Sequence, residues 1–235
     1  MVRKLDPTKL PKHIAIIMDG NRRWARKQGL NPAKGHEFAA LNTVEPLIEK
    51  CGELGIPYVT FWAWSTENWK REPDEVDGIF YAFRLGLKSL AKRFISKGAK
   101  LNILGDINKF PVDIVAKVKE ILKTSIKNHK ITVNFALHYG GRDEILRAVK
   151  KIVSEKIDIK NIDEKIFSEH LDTAGMPDPD IIIRTGGEQR TSGYLPWQSV
   201  YSELFFTKTL FPDFSPAKLQ QIIKRYQDRD RRMGK

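Results

Sequence analysis

Short apolar and β-branched runs alternate along this chain with longer segments in which apolar positions recur every three or four residues. His13 to Met18, Tyr58 to Trp64, Leu101 to Leu104, Ile131 to Leu137, Asp180 to Arg184 and Glu203 to Thr207 have the length and composition of strands. Gly35 to Leu54, Asp74 to Lys97, Val112 to Asn128, Arg142 to Glu155, Asp163 to Leu171 and Pro216 to Arg232 carry the helical period. Strand and helix in alternation predict an α/β fold, a single domain with a six-stranded, largely parallel sheet covered by helices on both faces. No internal repeat or low-complexity segment interrupts the pattern, and the Pro/Asp-rich stretch Gly175 to Asp180 is too short for a linker. Residues 1–235 therefore read as one domain.

In such sheets ligands bind beyond the carboxyl ends of the strands, and the polar clusters fall there. The first strand is followed by Asp19-Gly20-Asn21-Arg22-Arg23-Trp24, and the second by Ser65-Thr66-Glu67-Asn68-Trp69-Lys70-Arg71. His138-Tyr139-Gly140-Gly141-Arg142 follows the fourth strand, and a glycine-rich run from Thr185 to Gly193 follows the fifth.

Composition narrows the ligand class. The 235 residues carry 41 basic and 29 acidic side chains, a formal charge of +12, which points to an anionic partner: nucleic acid, a phosphorylated metabolite or a phospholipid surface. The apolar blocks fall well short of the ~20 residues that span a bilayer, and Met1 to Lys12 is polar, so the chain is expected in the cytoplasm. The single cysteine, Cys51, excludes an intramolecular disulfide and any cysteine-built metal centre, leaving oxygen or nitrogen to hold a metal.

Asp19 to Arg23 joins one carboxylate, a flexible glycine and two guanidinium groups where a strand hands over to a helix. Backbone N–H groups and arginines suit a diphosphate, and the aspartate suits Mg²⁺ held against the same oxygens. A helix cap with surface arginines is the other reading of the same residues. Neither a GxxxxGK[ST] loop nor a helix-opening GxGxxG follows the first strand, which disfavours the common nucleotide sites. Arg184, Arg190 and Ser192, interleaved with glycines at 186, 187 and 193, suggest a second, separate anion pocket. Glu203 opens an apolar strand and calls for a cationic partner, an arginine or a metal. The aromatic and apolar inventory around Trp62, Trp64, Trp69 and Phe80, with Ile79, Phe83 and Gly86 on one helix face, leaves a packed core and an apolar tunnel both open. His13, His129 and His170 read as structural or surface groups, while His36 and His138 lie nearer the polar clusters.

These motifs, in this order, resemble the cis-prenyltransferases, the (Z)-polyprenyl diphosphate synthases typified by undecaprenyl and dehydrodolichyl diphosphate synthases. His13 to Ala25, Gly35-His36, Ser65 to Arg71, Asn134 with Tyr139 to Arg142, and Arg184 to Glu188 through Glu203 to Phe206 carry the resemblance, which spans almost the whole chain. It implies a sheet enclosing an apolar tunnel and an enzyme that elongates an allylic diphosphate primer with isopentenyl diphosphate, in successive cis condensations, to a polyprenyl diphosphate for lipid-carrier synthesis. It implies that Asp19 and Glu203 hold Mg²⁺. Gly20, Asn21, Arg22, Arg23, Trp24 and His36 would bind the allylic diphosphate, and Ser65, Thr66, Glu67, Trp69 and Arg71 would flank the reacting carbons. Arg184, Arg190, Thr191 and Ser192 would hold isopentenyl diphosphate, and Asn68, a poor base, would orient the group that takes the proton.

Pro32 stands where the family usually has an arginine, and Gln189 where some members have a histidine. Arg232-Met233-Gly234 is similar to the family's Arg-x-Gly tail, which in dimeric members reaches the partner's site. A homodimer and a peripheral membrane contact for product release follow as expectations, with no nucleic acid partner. A non-catalytic partner subunit and a basic RNA-binding protein are the competing readings. The first tends to lose the Asp19-type carboxylate, and no RRM or KH signature supports the second.

Overall fold

Six strands form one sheet in which every pairing is parallel, in the order β3-β4-β2-β1-β5-β6. The strands are β1 His13–Ile17, β2 Tyr58–Ser65, β3 Ala99–Leu104, β4 Ile131–Tyr139, β5 Ile181–Arg184 and β6 Glu203–Phe206. The computed structural model describes residues 5–229. Helices α1 Asn21–Lys27, α2 Pro32–Phe38, α3 Val44–Leu54, α4 Pro73–Ser96, α5 Val112–Ser125, α6 Gly141–Ser154, α7 Glu164–Glu169 and α8 Pro216–Gln227 complete the fold.

Alternation along each strand assigns the two faces. Ile14, Ile16, Val59, Phe61 and Val133 belong to a core shared with Leu47, Ile48 and Cys51 of α3 and Leu219, Ile222 and Ile223 of α8. Ala15, Ile17, Ala136 and Ile182 pack on the opposite face against Tyr194 and Leu195. Chain order places β2 on one side of β1 and β5 on the other, so the sheet reverses direction of winding between β1 and β5. That junction is where a doubly wound sheet opens a crevice at its carboxyl end.

The expected helix from Gly35 to Leu54 is interrupted. Ala39–Thr43 forms a π-helical turn between α2 and α3, and α2 starts earlier, at Pro32, with Asn31 capping the Ala33 N–H at 2.9 Å. Pro32 therefore fits the first position of a helix, where its missing N–H costs nothing. A further helix, α1, lies in the stretch read from sequence as a polar cluster. Gly35 lets α1 and α2 cross closely: a Cβ there would sit 2.0 Å from the Asn21 carbonyl oxygen.

Candidate active site

The chain leaves β1 at Ile17 and turns through Asp19 into α1, while β5 ends one strand away at Arg184, level with Ile17. The two strand ends are tied directly. Asp19 Oδ1 accepts from Arg23 Nη2 at 3.1 Å and Oδ2 from Arg184 Nη2 at 3.0 Å. Arg184 Nη1 donates to the Arg190 carbonyl at 2.6 Å and to Ser192 Oγ at 2.8 Å. Arg23 Nη1 donates to the Gly186 carbonyl at 2.6 Å. Gly186 has φ +86°, and a Cβ there would lie 2.5 Å from Arg23 Nη2 and 3.1 Å from Asp19, so only glycine allows this approach.

Asp19, Asn21, His36, Ser65, Asn68, Arg71, Arg184, Arg190 and Ser192 line one polar cavity with about 930 Å³ of empty space, open to solvent. The two anion pockets expected from the sequence are thus a single crevice, bridged by the Asp19–Arg184 pair. Met18, Asn21, His36, Ala63 and Ile79 also line a second cavity of about 1020 Å³, walled otherwise by apolar side chains from α4, α5 and β3. Ile79, Phe83 and Gly86 line it together, so an apolar cavity rather than a fully packed core lies on that helix face. The π-helical turn contributes Ala39 and Ala40 to the same wall; such turns recur at functional sites.

Three buried polar atoms along the polar wall have no partner: Asn21 Oδ1, His36 Nε2 and Arg184 Nε. An unsatisfied buried group costs about 1–3 kcal/mol, so three in one crevice leave its wall able to accept polar partners from a ligand. Trp64 Nε1 and Gln198 Oε1 are also unpartnered but do not line it. Burial, helped by the Arg71 and Arg22 charges, pushes the His36 pKa down to about 3, so its ring is neutral at pH 7. Arg71 is paired with Glu75 at 2.7 Å, and Arg22 reaches the same carboxylate at 3.5 Å.

Several residues singled out by sequence lie elsewhere. Trp24 stacks on Phe38 with ring centroids 4.6 Å apart and donates its indole N–H to Asp213 at 2.9 Å. Trp69 belongs to an aromatic cluster with Trp64, Phe80 and Phe110 and donates to His138 Nδ1 at 2.7 Å. The Thr66 hydroxyl bonds Glu67 and packs on Gly140. Neither these four nor Thr191 reaches the cavity wall. Gly20 begins α1 at φ +110°, and Arg22 and Arg23 flank the crevice without lining it. Asn134 is buried in mid-sheet, where it bonds Thr60. Ser65 and Asn68 hold each other in a capping box, with Asn68 Oδ1 accepting from the Ser65 N–H at 2.9 Å. Arg232 to Gly234 lie outside the described residues.

Glu203 requires a correction. It pairs in register with Ile181 at the start of β6, three residues before the level of Arg184, or about 10 Å along the strand. Its carboxylate is paired with Arg229, whose guanidinium also sits over the Phe205 ring. The cationic partner is an arginine, and within one chain Glu203 cannot share a metal with Asp19. Among the described residues no group of three or more metal-ligating side chains occurs. A carboxylate beside the Arg23 and Arg184 guanidinium groups nonetheless fits Mg²⁺, which keeps waters and binds through one or two carboxylates plus phosphate oxygens of a ligand.

Residues 17–234 match the prenyltransferase family model for undecaprenyl diphosphate synthase. An isoprenyl transferase of Clostridium perfringens is 41% identical over 230 residues, covering 96% of this chain and 90% of that protein. The tritrans,polycis-undecaprenyl-diphosphate synthase (geranylgeranyl-diphosphate specific) of Pyrococcus horikoshii is 43% identical, covering 100% and 91%. Among solved structures, lavandulyl diphosphate synthase from Lavandula x intermedia in complex with dimethylallyl diphosphate superposes with a TM-score of 0.94 at 33% identity, covering 97% of this chain and 100% of that one. A probable undecaprenyl diphosphate synthase from Campylobacter jejuni gives 0.81 at 32%, covering 96% and 99%.

Proposed function

Because the chain belongs to the cis-prenyltransferase family and performs its reaction, cis elongation of an isoprenoid diphosphate, we propose that the Asp19–Arg184 crevice is the reaction centre and the apolar cavity below it the receptacle for the growing chain. One observation carries this reading: the polar wall with its three unpartnered atoms opens directly into an apolar cavity through shared residues. A substrate with a diphosphate head and a hydrocarbon tail has that division of polarity.

In the reaction the allylic C–O bond breaks, and its electron pair leaves with the diphosphate. The new C–C bond uses the double-bond electrons of isopentenyl diphosphate, and loss of one proton restores a double bond with cis geometry. Arg23 stands beside the leaving diphosphate and stabilises the charge that develops on it. His36, neutral, offers a hydrogen bond to the allylic head. Arg190 and Ser192 bind isopentenyl diphosphate, and Arg184 sits between the two heads. Asn68 orients the proton acceptor from its capping box. Asp19 would hold Mg²⁺, which supplies charge neutralisation on the diphosphate.

The chain pairs with a second copy through the β6 side. Leu204 on this edge strand and the neighbouring Val200 and Tyr201 are exposed, the last two by 71% and 68%, and a bare apolar edge invites pairing. Incubation of the purified chain with labelled isopentenyl diphosphate and primers of several lengths, with and without Mg²⁺, tests the reading. Primer- and Mg²⁺-dependent formation of butanol-soluble label is expected. Absence of product with every primer would overturn it.

A further inference from the structure

Residues 88–130 carry eleven lysines and arginines against three acids, a net +8 of the chain's +12 in less than a fifth of its length. This segment comprises the last nine residues of α4, together with β3 and α5. Both helices descend from the carboxyl end of the sheet to its amino end, because each links two parallel strands. Their lower ends are clamped together: Asn128 Nδ2 donates to the Ile95 and Ala99 carbonyls at 2.8 and 2.9 Å, and the Lys130 N–H to Gly98 at 3.1 Å. Lys92, Arg93, Lys97, Lys100, Lys123, Lys127 and Lys130 therefore lie toward the end of the sheet opposite Asp19, whereas Lys109 follows the carboxyl end of β3.

Few of these cations are compensated by the helices packed alongside. Glu45 and Glu49 of α3 neutralise Arg93 and Lys97, and Glu120 holds Lys117. Lys88, Lys92, Lys119, Lys123, Lys127 and Lys130 have no ion pair among the described contacts. Lys119 and Lys123 lie one turn apart on the exposed face of α5, and Lys127 follows four residues on. Ile126 stands among them with 59% of its surface exposed. The same segment walls the deep end of the apolar cavity through Phe94, Leu101 and Ile121.

We propose that this cationic end docks on an anionic phospholipid surface. Lysines at helical spacing around an exposed isoleucine match a membrane interface, where the ammonium groups meet lipid phosphates and the apolar side chain enters the acyl boundary. A nucleic acid would match the charge but not the exposed isoleucine, nor the cavity that ends beneath the patch. The orientation sets the deep end of the cavity toward the bilayer while Asp19 faces the aqueous side. The reason for such an orientation rests on the proposed chain-elongating function; the docking itself does not.

Sedimentation with vesicles of phosphatidylcholine alone, or of phosphatidylcholine and phosphatidylglycerol in equal amounts, tests the surface without using turnover. Binding to the anionic vesicles only, weakening with added salt, is expected. Each lysine removed should reduce partition about fivefold, so the triple variant Lys119→Gln, Lys123→Gln, Lys127→Gln should lose roughly a hundredfold. A control triple on another face, Lys150→Gln, Lys160→Gln, Lys165→Gln, removes the same charge and should retain most of the binding. Equal loss from both triples, binding to neutral vesicles, or displacement of the vesicles by stoichiometric RNA would each overturn the assignment. Isopentenyl diphosphate incorporation in detergent, measured alongside, reports separately on the elongation reading.

Discussion

Two sets of buried polar groups lie on the same sheet and differ in one respect. In mid-sheet, His13, Thr60, Asn134 and Asn102 form a ladder across β1, β2, β4 and β3. His13 Nδ1 donates to the Pro177 carbonyl at 2.8 Å, and Thr60 Oγ1 donates to His13 Nε2 at 2.7 Å. Thr60 Oγ1 accepts from Asn134 Nδ2 at 2.9 Å, and Asn134 Oδ1 from Asn102 Nδ2 at 3.1 Å. At the carboxyl end, Asn21, His36 and Arg184 each keep a buried atom without a partner. A closed network specifies the alignment of four strands, whereas an open one is held ready for a ligand. Between these two sets burial does not separate fold from function; completeness of hydrogen bonding within a group of neighbours does, since the other unpartnered atoms, Trp64 Nε1 and Gln198 Oε1, stand outside the crevice.

The largest test of that division is Asp19→Ala. Removing the carboxylate that joins the open set should lower Mg²⁺-dependent turnover about a thousandfold, roughly 4 kcal/mol, while the urea midpoint stays near the parent value. Near-normal turnover would dissolve the distinction.

Acid should find the ladder next. Burial pushes the His13 pKa down to about 4 from an ordinary value near 6.5, so between those values the unfolded chain binds a proton that the folded chain refuses. Stability is therefore complete above about pH 6.5 and falls as pH drops toward 4, by about 3 kcal/mol in total. Burial shifts Glu144 the other way, which partly offsets the slope. The difference between the parent and His13→Gln in urea titrations at pH 7, 5 and 4 isolates the histidine, and parallel curves would refute its part.

Within the crevice, Arg190→Ala should raise the KM for isopentenyl diphosphate roughly ten- to a hundredfold, the equivalent of about 1.5–3 kcal/mol for a charged hydrogen bond. The primer KM should change little. Arg184→Ala, by contrast, should weaken both substrates, because its guanidinium touches Asp19 on one side and Ser192 on the other. Smallest of all, Thr60→Val should cost about 1–3 kcal/mol by stranding His13 Nε2 and Asn134 Nδ2. At about 2–4 °C per kcal/mol for a chain of this size the loss appears in the Tm, with kcat and both KM values unchanged. A kinetic effect would show that the ladder and the site are coupled.

All six strands were legible as apolar runs, with ends differing by a few residues at most, because buried parallel strands leave near-continuous apolar signals. The helix from Asn21 to Lys27 was marked only at its start, where a strand hands over to a helix, since seven residues with exposed arginines at 22 and 23 show no apolar period to give its length. Asp19, Asn68 and Arg190, which follow strand ends, and Arg184, which closes β5, all line the crevice, because a parallel sheet opens its cavity at the carboxyl ends of its strands. Trp24, in α1, and Thr66, Glu67 and Trp69, in the helical turn after β2, follow the same strand ends without lining the crevice, and adjacency in sequence carries no information on direction. Glu203 misled because a carboxylate at a strand's start faces the wrong end of the sheet. The unbroken apolar period across Ala39–Thr43 likewise concealed the π-helical turn.

That turn has a mechanical consequence. A straight α-helix advances about 100° per residue, so removing one residue from Ala39–Thr43 would rotate α3 by that angle against α2 and draw it about 1.5 Å closer. Gly35 faces α1 and His36 the crevice from α2, while Leu47, Ile48 and Cys51 face the sheet from α3. The widened turn sets the phase between these two faces, allowing one run of helix to serve a binding wall and a core whose orientations a regular helix would not satisfy together.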